Sequence, residues 1–379
     1  MKTTVIGAGA MGSGIAQILA QAGYSVAVYD TKEDMLERAK TKLKNTFDAL
    51  VAKGKFTKED AQKIIERIHF TSHLRDAEGS KLAIEAIYEN ADAKRSVFRI
   101  LDDLLPKDAV LATNTSSLSI ASLAAGIQHP ERVIGLHFFN PAPVMPLVEI
   151  VPCLATSPSV VARCEAWVKE WGKVGVVAKD TPGFIVNRIA RPFYGEALHL
   201  LEEQCADVAT IDWALTEIGG FKMGPFALMD LIGNDVNYAV TETVWKQFYY
   251  DPRFRPSLTQ KRLVEAGWLG KKTGRGFYEY GEGAPVATPT KDVALAEIIV
   301  RRVLAQLINE AYDALYRGVA TAEDIDIALQ KGVNYPKGLF LWGKEIGLKN
   351  IVDSLEKTFQ ETGDMRYRVN PLLRKEAGV

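Results

Sequence analysis

A glycine-rich turn between an apolar strand and an apolar helix, close to the N-terminus, constrains the fold of this chain more than any other feature. Gly7, Gly9 and Gly12 follow a strand-like segment from Thr3 to Ile6, and the residues after them carry apolar side chains at the spacing of one buried helical face. The segment from Ser25 to Tyr29 is then predicted as a second strand. The sequence therefore opens with a βαβ unit, in which the strands are parallel and the helix packs on their face.

The same alternation continues to about residue 183. Helical segments lie between several further strand-like segments, and this pattern is typical of a mainly parallel sheet covered by helices. These strand-like segments are Leu82 to Glu85, Ala109 to Thr113, Val133 to Phe139, Leu147 to Val151 and Gly175 to Ala178. We predict an α/β fold with a Rossmann-type doubly wound sheet over residues 1–183.

After Thr181-Pro182-Gly183 the pattern changes to long helical periods, and these periods repeat. Ile211-Asp212-x-Ala-Leu matches Ile325-Asp326-x-Ala-Leu without a gap, and the same offset relates Glu196 to Glu310. Glycines and a proline at 281–285 resist both helix and strand and mark a boundary between the copies. We predict two similar all-helical domains, residues 184–283 and 284–379.

The composition argues against several classes of function. The formal net charge is −1 over 379 residues, so we expect no broad cationic surface for nucleic acid or an anionic membrane. No apolar run approaches the roughly 20 residues of a membrane helix, and the N-terminus does not resemble a signal peptide. The three cysteines, Cys153, Cys164 and Cys205, cannot all pair and are not spaced as metal ligands. We therefore expect a cytoplasmic protein with reduced thiols and no bound metal.

The glycine-rich turn predicts a dinucleotide site. Glycines mark many ordinary turns, but here they follow a strand and open a helix, where backbone amides approach a pyrophosphate at the positive helix end. Asp30, at the end of the second strand, is placed to accept hydrogen bonds from the adenosine ribose, and its charge would repel a 2′-phosphate. The sequence favours NAD over NADP, with the backbone contacts made at Gly7, Gly9, Ala10, Met11 and Gly12.

His137 is the strongest candidate for acid–base chemistry. It ends an apolar strand, where ligands of open parallel sheets gather, and Glu149 lies in the next strand-like segment, where its carboxylate can orient the ring. A lone histidine is more often structural. The other four histidines, His69, His73, His129 and His199, are interpreted as structural or exposed, because no carboxylate in a comparable position was identified for them.

Because the sequence combines this glycine-rich turn with His137 and Glu149, the chain resembles the 3-hydroxyacyl-CoA dehydrogenase family. The resemblance extends over roughly the first 280 residues and lies in five segments in the family's order. They are Gly7-Ala8-Gly9-Ala10-Met11-Gly12, Asn114-Thr115-Ser116-Ser117-Leu118, His137-Phe138-Phe139-Asn140-Pro141-Ala142-Pro143-Val144-Met145, Pro182-Gly183-Phe184-Ile185-Val186-Asn187-Arg188 and Gly270-Lys271-Lys272-Thr273-Gly274-Arg275-Gly276-Phe277-Tyr278.

The resemblance implies NAD-dependent oxidation of an (S)-3-hydroxyacyl-CoA to the 3-oxoacyl-CoA and its reversal, as in fatty acid β-oxidation. It implies that His137 exchanges the hydroxyl proton while Glu149 holds its ring. Ser116 and Asn187 would contact the substrate. Further residues implied near the nicotinamide ribose and the CoA phosphates are Glu89, Lys94, Asn114 and Lys53.

Alternatives stay open for most of these residues. Ser116 and Asn114 could cap a helix that begins near Leu118, and Asn187 could be a solvated helix residue. Glu89 and Lys94 could belong to a hydrated charged face, and Lys53 to an exposed lysine face. His137 and Glu149 carry the prediction more firmly, because a carboxylate in an apolar strand needs a partner.

The second helical copy departs from the resemblance. The position that matches Asn187 is Arg301, and no Pro-Gly-Phe precedes it, so we expect no second active site. We expect this copy to occupy the place of a partner subunit in an internal pseudo-dimer, although a homodimer of the full chain stays possible. The acyl group is also open: 3-hydroxybutyryl-CoA is favoured, a dicarboxylic 3-hydroxyadipyl-CoA is an alternative, and Arg188 or Arg191 could meet its far carboxylate. Two other functions remain, a dehydrogenase of non-thioester hydroxyacids and a nucleotide-binding protein without catalysis.

Overall fold

A computed structural model of the chain describes residues 1–379, which form two compact units, 1–181 and 182–379. The first unit contains one sheet of eight strands in the order β3-β2-β1-β4-β5-β6-β7-β8. The strands are β1 Lys2–Ile6, β2 Ser25–Tyr29, β3 Ile68–Thr71, β4 Leu82–Glu85, β5 Val110–Thr113, β6 Val133–Phe138, β7 Leu147–Pro152 and β8 Val174–Val177. The order reverses direction between β1 and β4, so the sheet is doubly wound and the predicted fold class is confirmed.

All neighbouring strands are parallel except β6 and β7, which are antiparallel. Seven of the eight strands coincide, within one or two residues at each end, with segments that the sequence predicts. The exception is β3. It lies at the edge of the sheet, and only Ile68 and Thr71 of its four residues are buried, so it lacks the apolar run that identifies the inner strands.

Six helices cover the sheet. They are α1 Ala10–Gln21, α2 Glu33–Ala52, α3 Lys58–Glu66, α4 Ala91–Leu104, α5 Ile120–Ala124 and α6 Pro158–Glu170. The helix α1 buries Ile15, Ile18 and Leu19 against the sheet, and the chain leaves it through Gly23, whose φ of 90° suits glycine.

The inner strands are buried on both faces because helices pack on each side of a parallel sheet. Every residue of β4, β5 and β6 is buried. Polar side chains in these strands are therefore exceptions that need partners. They lie at the carboxyl ends: Glu85 in β4, Thr113 in β5 and His137 in β6.

The second unit is helical. Its helices are α7 Val186–Ile189, α8 Arg191–Glu202, α9 Val208–Trp213, α10 Pro225–Ile232, α11 Asn234–Gln247, α12 Leu258–Glu265, α13 Val293–Tyr316, α14 Ala322–Gly332, α15 Leu339–Ile346, α16 Leu348–Thr362 and α17 Pro371–Glu376. The helix α13 packs along α8. The apolar side chains that the sequence spaces for packing on another helical surface are Val303, Leu307, Ala311 and Leu315, of which the first three are fully buried and Leu315 is half-buried.

Equivalent residues of the two copies have the same structural role in this unit. Asp212 accepts hydrogen bonds from the backbone amides of Phe226 at 2.9 Å and Ala227 at 2.9 Å, and Asp326 accepts one from Phe340 at 3.1 Å. A Cβ atom on Gly224 or on Gly338 would lie 2.3 Å or 2.1 Å from the carboxyl group of the aspartate beside it. Each copy thus needs its glycine so that an aspartate can cap the following helix.

Two ion pairs, one buried and one partly buried, join the two repeats in a reciprocal way. Arg188 binds Glu310 at 2.6 Å, and Arg302 binds Glu196 at 2.6 Å. The arginines are related by the repeat offset, and so are the glutamates. Reciprocal contacts between equivalent residues are the mark of an isologous, two-fold interface.

Candidate active site

A cleft opens at the carboxyl edge of the sheet, where the strand order reverses between β1 and β4. It has a volume of about 540 Å³. Its lining includes the glycine turn after β1, the end of β2 and the segment after β4, among them Gly7, Gly9, Asp30, Ala86 and Tyr88. Ligands of open α/β sheets bind at this switch point.

A different structural feature explains the presence of glycine at each of the three positions of the turn. Gly7 has φ 107°, and a Cβ there would lie 2.7 Å from the carbonyl oxygen of Ala86. A Cβ on Gly12 would lie 1.9 Å from the carbonyl oxygen of Gly7, so α1 packs directly on the turn. Gly9 has nothing within 4 Å of its Cβ position and caps α1, which starts with Ala10 and Met11. The space beside Gly9, at the positive end of the helix, fits a pyrophosphate.

Asp30 is held at the edge of this cleft by backbone amides. The amide of Ala8 donates to one carboxylate oxygen at 2.8 Å, and that of Lys32 donates to the other at 3.0 Å. A carboxylate accepts more than two hydrogen bonds, so both oxygens keep capacity for ribose hydroxyls. Asp30 and the glycine turn are thus brought together as predicted.

Glu89 and Lys94 form an ion pair in which Lys94 is buried and Glu89 is exposed, so Lys94 is not part of a hydrated face. Lys94 is 1% exposed and lies 3.2 Å from Glu89 and 2.7 Å from Glu85. Glu89 also accepts hydrogen bonds from the hydroxyls of Thr115 and Ser117. Burial alone would raise the pKa of Glu89, but the Lys94 ammonium and these hydroxyls hold it below its usual range.

Glu85 is a site residue that the sequence reasoning missed. It is fully buried at the end of β4 and accepts hydrogen bonds from Lys94 and from the Thr113 hydroxyl, both at 2.7 Å. The available signal was an acid that ends an apolar strand, the same signal that identified Asp30. Glu85 neutralises Lys94 and so fixes it beside the cleft.

Asn114 joins the ends of β5 and β6. Its side-chain oxygen accepts a hydrogen bond from the amide of Phe138 at 2.8 Å, next to His137. The alternative that Asn114 or Ser116 caps a helix is wrong, because the helix α5 begins at Ile120 and its cap is Ser119. Ser116 lies half-buried in the loop that follows β5.

His137 and Glu149 face each other across the antiparallel pair of β6 and β7. They are direct partners in the strand register, which places their side chains on the same face of the sheet. His137 Nδ1 lies 2.6 Å from Glu149 Oε2, and the two residues are 6% and 0% exposed. A hydrogen bond to Nδ1 fixes the orientation of the imidazole ring and its tautomer.

Proximity to an acid does not distinguish His137 from the other histidines, contrary to the sequence interpretation. His69, His129 and His199 also lie within 3.5 Å of a carboxylate oxygen. Their acids are 30% exposed or more, whereas Glu149 is completely buried. Burial of the acid strengthens its interaction with the ring, because water does not screen it.

The remaining predicted residues lie apart from this group. Lys53 is exposed just after α2, in a groove of about 760 Å³ along that helix. Asn187 lies in α7, in the second unit, and is half-buried. Arg188 forms ion pairs with Glu310 at 2.6 Å and Asp313 at 2.5 Å. The suggestion that Arg188 binds a substrate carboxylate is therefore wrong.

The motif from Gly270 to Tyr278 has a structural role in the second unit. Asp230, 1% exposed, accepts hydrogen bonds from the amides of Phe277 at 3.0 Å and Tyr278 at 2.9 Å. A Cβ on Gly276 would lie 2.0 Å from its carboxylate oxygen. The glycine therefore lets the chain wrap around a buried acid.

Comparison with known proteins agrees with this site. The model of the 3-hydroxyacyl-CoA dehydrogenase NAD-binding domain matches residues 2–181, and that of the C-terminal domain matches residues 183–280 and again 298–377. The chain belongs to the 3-hydroxyacyl-CoA dehydrogenase family. Its cofactor is NAD, as predicted, and the expected family activity, NAD-dependent dehydrogenation, is confirmed.

Individual relatives span different parts of the chain. The 3-hydroxyadipyl-CoA dehydrogenase of Escherichia coli K12 is 38% identical over 98% of this chain and 96% of its own. A probable 3-hydroxybutyryl-CoA dehydrogenase of Bacillus subtilis is 42% identical over 73% of this chain and 96% of its own. The crystal structure of an Escherichia coli 3-hydroxybutyryl-CoA dehydrogenase is 36% identical, with a TM-score of 0.95 over 100% of this chain and 98% of its own.

The structure contains no helix with the length and apolar character needed to cross a membrane. No three side chains of the metal-binding types converge on a common point.

Proposed function

We propose that this chain oxidises (S)-3-hydroxyacyl-CoA thioesters to 3-oxoacyl-CoA, and catalyses the reverse reduction, with His137 as the proton-exchanging residue. The observation that carries the proposal is the buried 2.6 Å contact between His137 Nδ1 and Glu149 Oε2 at the carboxyl edge of the sheet. The ends of β1, β2 and β4, which supply the cofactor cleft, lie at the same edge.

His137 acts on the substrate hydroxyl. In the oxidation, Nε2 accepts the proton of the 3-hydroxyl as the C3–H bond breaks, and the electron pair of the oxygen forms the carbonyl. NAD supplies the hydride acceptor for that bond when it is bound. Glu149 compensates the positive charge that develops on the ring. In the reduction, the protonated His137 returns the proton to the oxygen.

Ser116 and Asn187 position the substrate in this proposal. The Ser116 hydroxyl donates to the substrate oxygen, and the Asn187 amide forms a hydrogen bond with the substrate. Glu89, Lys94 and Asn114 fix the segments at the nicotinamide end of the cleft. Support comes from the buried Lys94 and from the bond between Asn114 and the amide beside His137.

The CoA phosphates bind along α2 in this proposal. Lys42 and Lys53 line the groove of about 760 Å³, and Lys42 and Lys55 line a second cavity of about 560 Å³ that reaches Asn140. These lysines give local positive charge to a chain of nearly neutral net charge. The relatives' names include both a butyryl and an adipyl substrate, so both acyl groups are candidates.

The decisive experiment replaces His137 with Gln and measures oxidation of 3-hydroxybutyryl-CoA, with NAD affinity determined separately. We expect turnover to fall about 10²- to 10⁴-fold, because the proton no longer has an acceptor, while NAD affinity is unchanged. The matched control is His199→Gln, at a histidine that also lies beside a glutamate. Near-normal turnover of His137→Gln would remove His137 from the mechanism, and activity on free 3-hydroxyacids alone would favour a non-thioester dehydrogenase.

We also propose the three-part organisation, 1–183, 184–283 and 284–379, with the last two parts as an internal pseudo-dimer. The reciprocal pairs Arg188–Glu310 and Arg302–Glu196 support it, as does the double match of the C-terminal family model. A cytoplasmic location is proposed from the three free cysteines, because reduced thiols persist there. Light scattering of the full chain distinguishes a monomer from a homodimer.

A further inference from the structure

The helix α7, which carries Asn187, is a single turn that depends on its surroundings. It comprises Val186–Ile189 and is joined to α8 through Ala190. Pro192, the second residue of α8, has no amide hydrogen and cannot donate to the carbonyl oxygen of Arg188, so the backbone ladder is interrupted where the two helices meet. A single helical turn is not stable by itself in water. The orientation of Asn187 is therefore set by contacts that α7 makes with other parts of the chain.

Arg188 ties α7 to the second helical copy through two directional contacts. Its side chain is 1% exposed, its Nε donates to Glu310 at 2.6 Å, and its Nη2 donates to Asp313 at 2.5 Å. Both acids lie in α13 of the second copy. The apolar side chains of Val186 and Ile189 are buried as well, but apolar contacts have no preferred direction. The planar guanidinium, held by two acids, therefore fixes how α7 is rotated about its axis.

This rotation decides where Asn187 points. Successive residues of an α-helix lie about 100° apart around its axis, so a helix turned with Arg188 towards α13 directs Asn187 away from α13, where it is half-buried. The preceding turn supports the same arrangement. The Arg188 amide donates to the carbonyl oxygen of Gly183 at 3.1 Å, and a Cβ on Gly183 would lie 2.9 Å from that amide nitrogen.

The second copy lacks this dependence at the equivalent position. Arg301, which matches Asn187, lies inside α13, a continuous helix of 24 residues from Val293 to Tyr316. Backbone hydrogen bonds on both sides already fix the direction of each residue in such a helix. The equivalent ion pair, Arg302 with Glu196 at 2.6 Å, therefore holds the copies together without orienting a substrate residue.

We propose that Glu310 and Asp313 of the second helical copy, acting through Arg188, position Asn187 for its contact with the substrate. The inference rests on the proposed function, in which Asn187 forms a hydrogen bond with the thioester, and it adds three positioning residues to that function. None of the three touches the substrate. The second copy, which has no active site of its own in our interpretation, thus contributes to the activity of the first.

The test is a double-mutant cycle in the full-length protein, with 3-hydroxybutyryl-CoA as substrate. Asn187→Ala and Glu310→Gln should each lower kcat/KM about 5- to 10-fold, because each loses the same hydrogen bond to the substrate. The variant that combines both changes should be no slower than either single variant, whereas independent effects would multiply to about 25- to 100-fold. NAD affinity, measured separately, should be unchanged in all three variants.

The matched control is Glu196→Gln, which breaks the equivalent ion pair with Arg302. It should lower stability as Glu310→Gln does, but change kcat/KM less than about 2-fold, and Asn187→Ala should keep its full effect when combined with it. A merely structural role of Glu310 would instead give equal kinetic losses in Glu310→Gln and Glu196→Gln.

Circular dichroism at the assay temperature verifies that each variant is folded. If Glu310→Gln is unfolded, Asp313→Asn takes its place in the same cycle. Losses that multiply in the combined variant, or equal kinetic losses in the two glutamate variants, would overturn this inference and leave the proposed function intact. Wild-type kinetics of Asn187→Ala would overturn both this inference and the part of Asn187 in the proposed function, while the His137→Gln experiment decides the reaction independently.

Discussion

The two helical copies of the second unit carry the same residues where they hold the fold together and different residues where the first copy meets a ligand in our proposals. The shared pairs, related by one offset, are Arg188 and Arg302, Glu196 and Glu310, Asp212 and Asp326, and Gly224 and Gly338. The differing pair is Asn187 and Arg301. A duplicated domain thus separates what packing requires from what binding requires within a single chain.

Burial explains why the residues that stabilise the fold are the same in both copies. Each shared residue is a buried or half-buried charged side chain that has a partner, or a glycine packed against a carboxylate. Loss of a partner leaves an uncompensated charge, and a side chain in place of the glycine creates a steric clash. The differing position carries no such penalty, because Arg301 is exposed. Identical substitutions at equivalent positions of the two copies test this difference.

The largest effect is expected from deletion of residues 285–379. The deletion removes α13 from α8, exposes the apolar face of α8 and leaves Arg188 without Glu310 and Asp313. We expect aggregation or self-association through the exposed face, because burial of a contiguous apolar surface is favourable. Size-exclusion chromatography with light scattering is the measurement. A soluble, active monomer would contradict the internal pseudo-dimer.

The next largest effect is expected from substitution of the two equivalent glutamates. Glu310→Gln and Glu196→Gln each remove a buried carboxylate that faces arginine, so each should lower the free energy of unfolding by about 3–5 kcal/mol. Urea denaturation measures this loss. The control Glu297→Gln, at an exposed residue of α13, should change it by less than about 0.5 kcal/mol. If only one of the two buried variants is destabilised, the copies are not energetically equivalent.

A smaller effect, on activity and not on stability, is expected at the differing position. Asn187→Ala should lower kcat/KM about 5- to 10-fold through loss of a hydrogen bond to the substrate, with an unchanged melting temperature. Arg301→Ala, the same change in the other copy, should leave steady-state kinetics unaltered. Equal losses in both variants would show that the copies share a role in catalysis.

The smallest effect concerns pH. Burial raises the pKa of Asp212 to about 6, although backbone amides and the Tyr278 hydroxyl oppose it, and burial also raises the pKa of Asp326. The folded state therefore keeps the Asp212 proton to higher pH than the unfolded state, so its contribution to stability falls as the pH rises from about 4 to about 6 and is constant above that.

This pH dependence is measured with Asp212→Asn. The wild type should lose about 1–3 kcal/mol of stability relative to the variant between pH 4 and pH 7, and Asp326→Asn should show a change in the same direction. Urea denaturation at several pH values gives both curves. Parallel curves for wild type and variant would mean that Asp212 ionises at its ordinary pKa.

Local patterns predicted most of the elements but not the sheet edge or the charged cleft. Inner strands are apolar because helices cover both faces, so seven could be located, whereas β3 has only two buried residues. The hydrated-face alternative was wrong for Lys94, which is buried, because burial depends on what packs against a helix. The sequence spacing of Glu85, Glu89 and Lys94 does not reveal that a buried Lys94 lies between the buried Glu85 and the exposed Glu89.

The amino-acid sequence was sufficient to predict the dinucleotide turn, the duplication and the pairing of a histidine with an acid, because each of these depends on residue type at short or repeated spacing. Only the three-dimensional structure shows which charged side chains have a partner of opposite charge. It showed that Arg188 is occupied by acids from the second copy and that its neighbour Arg191 is not. Partners from distant parts of the chain make that difference, and hydrophobic periodicity carries no information about them.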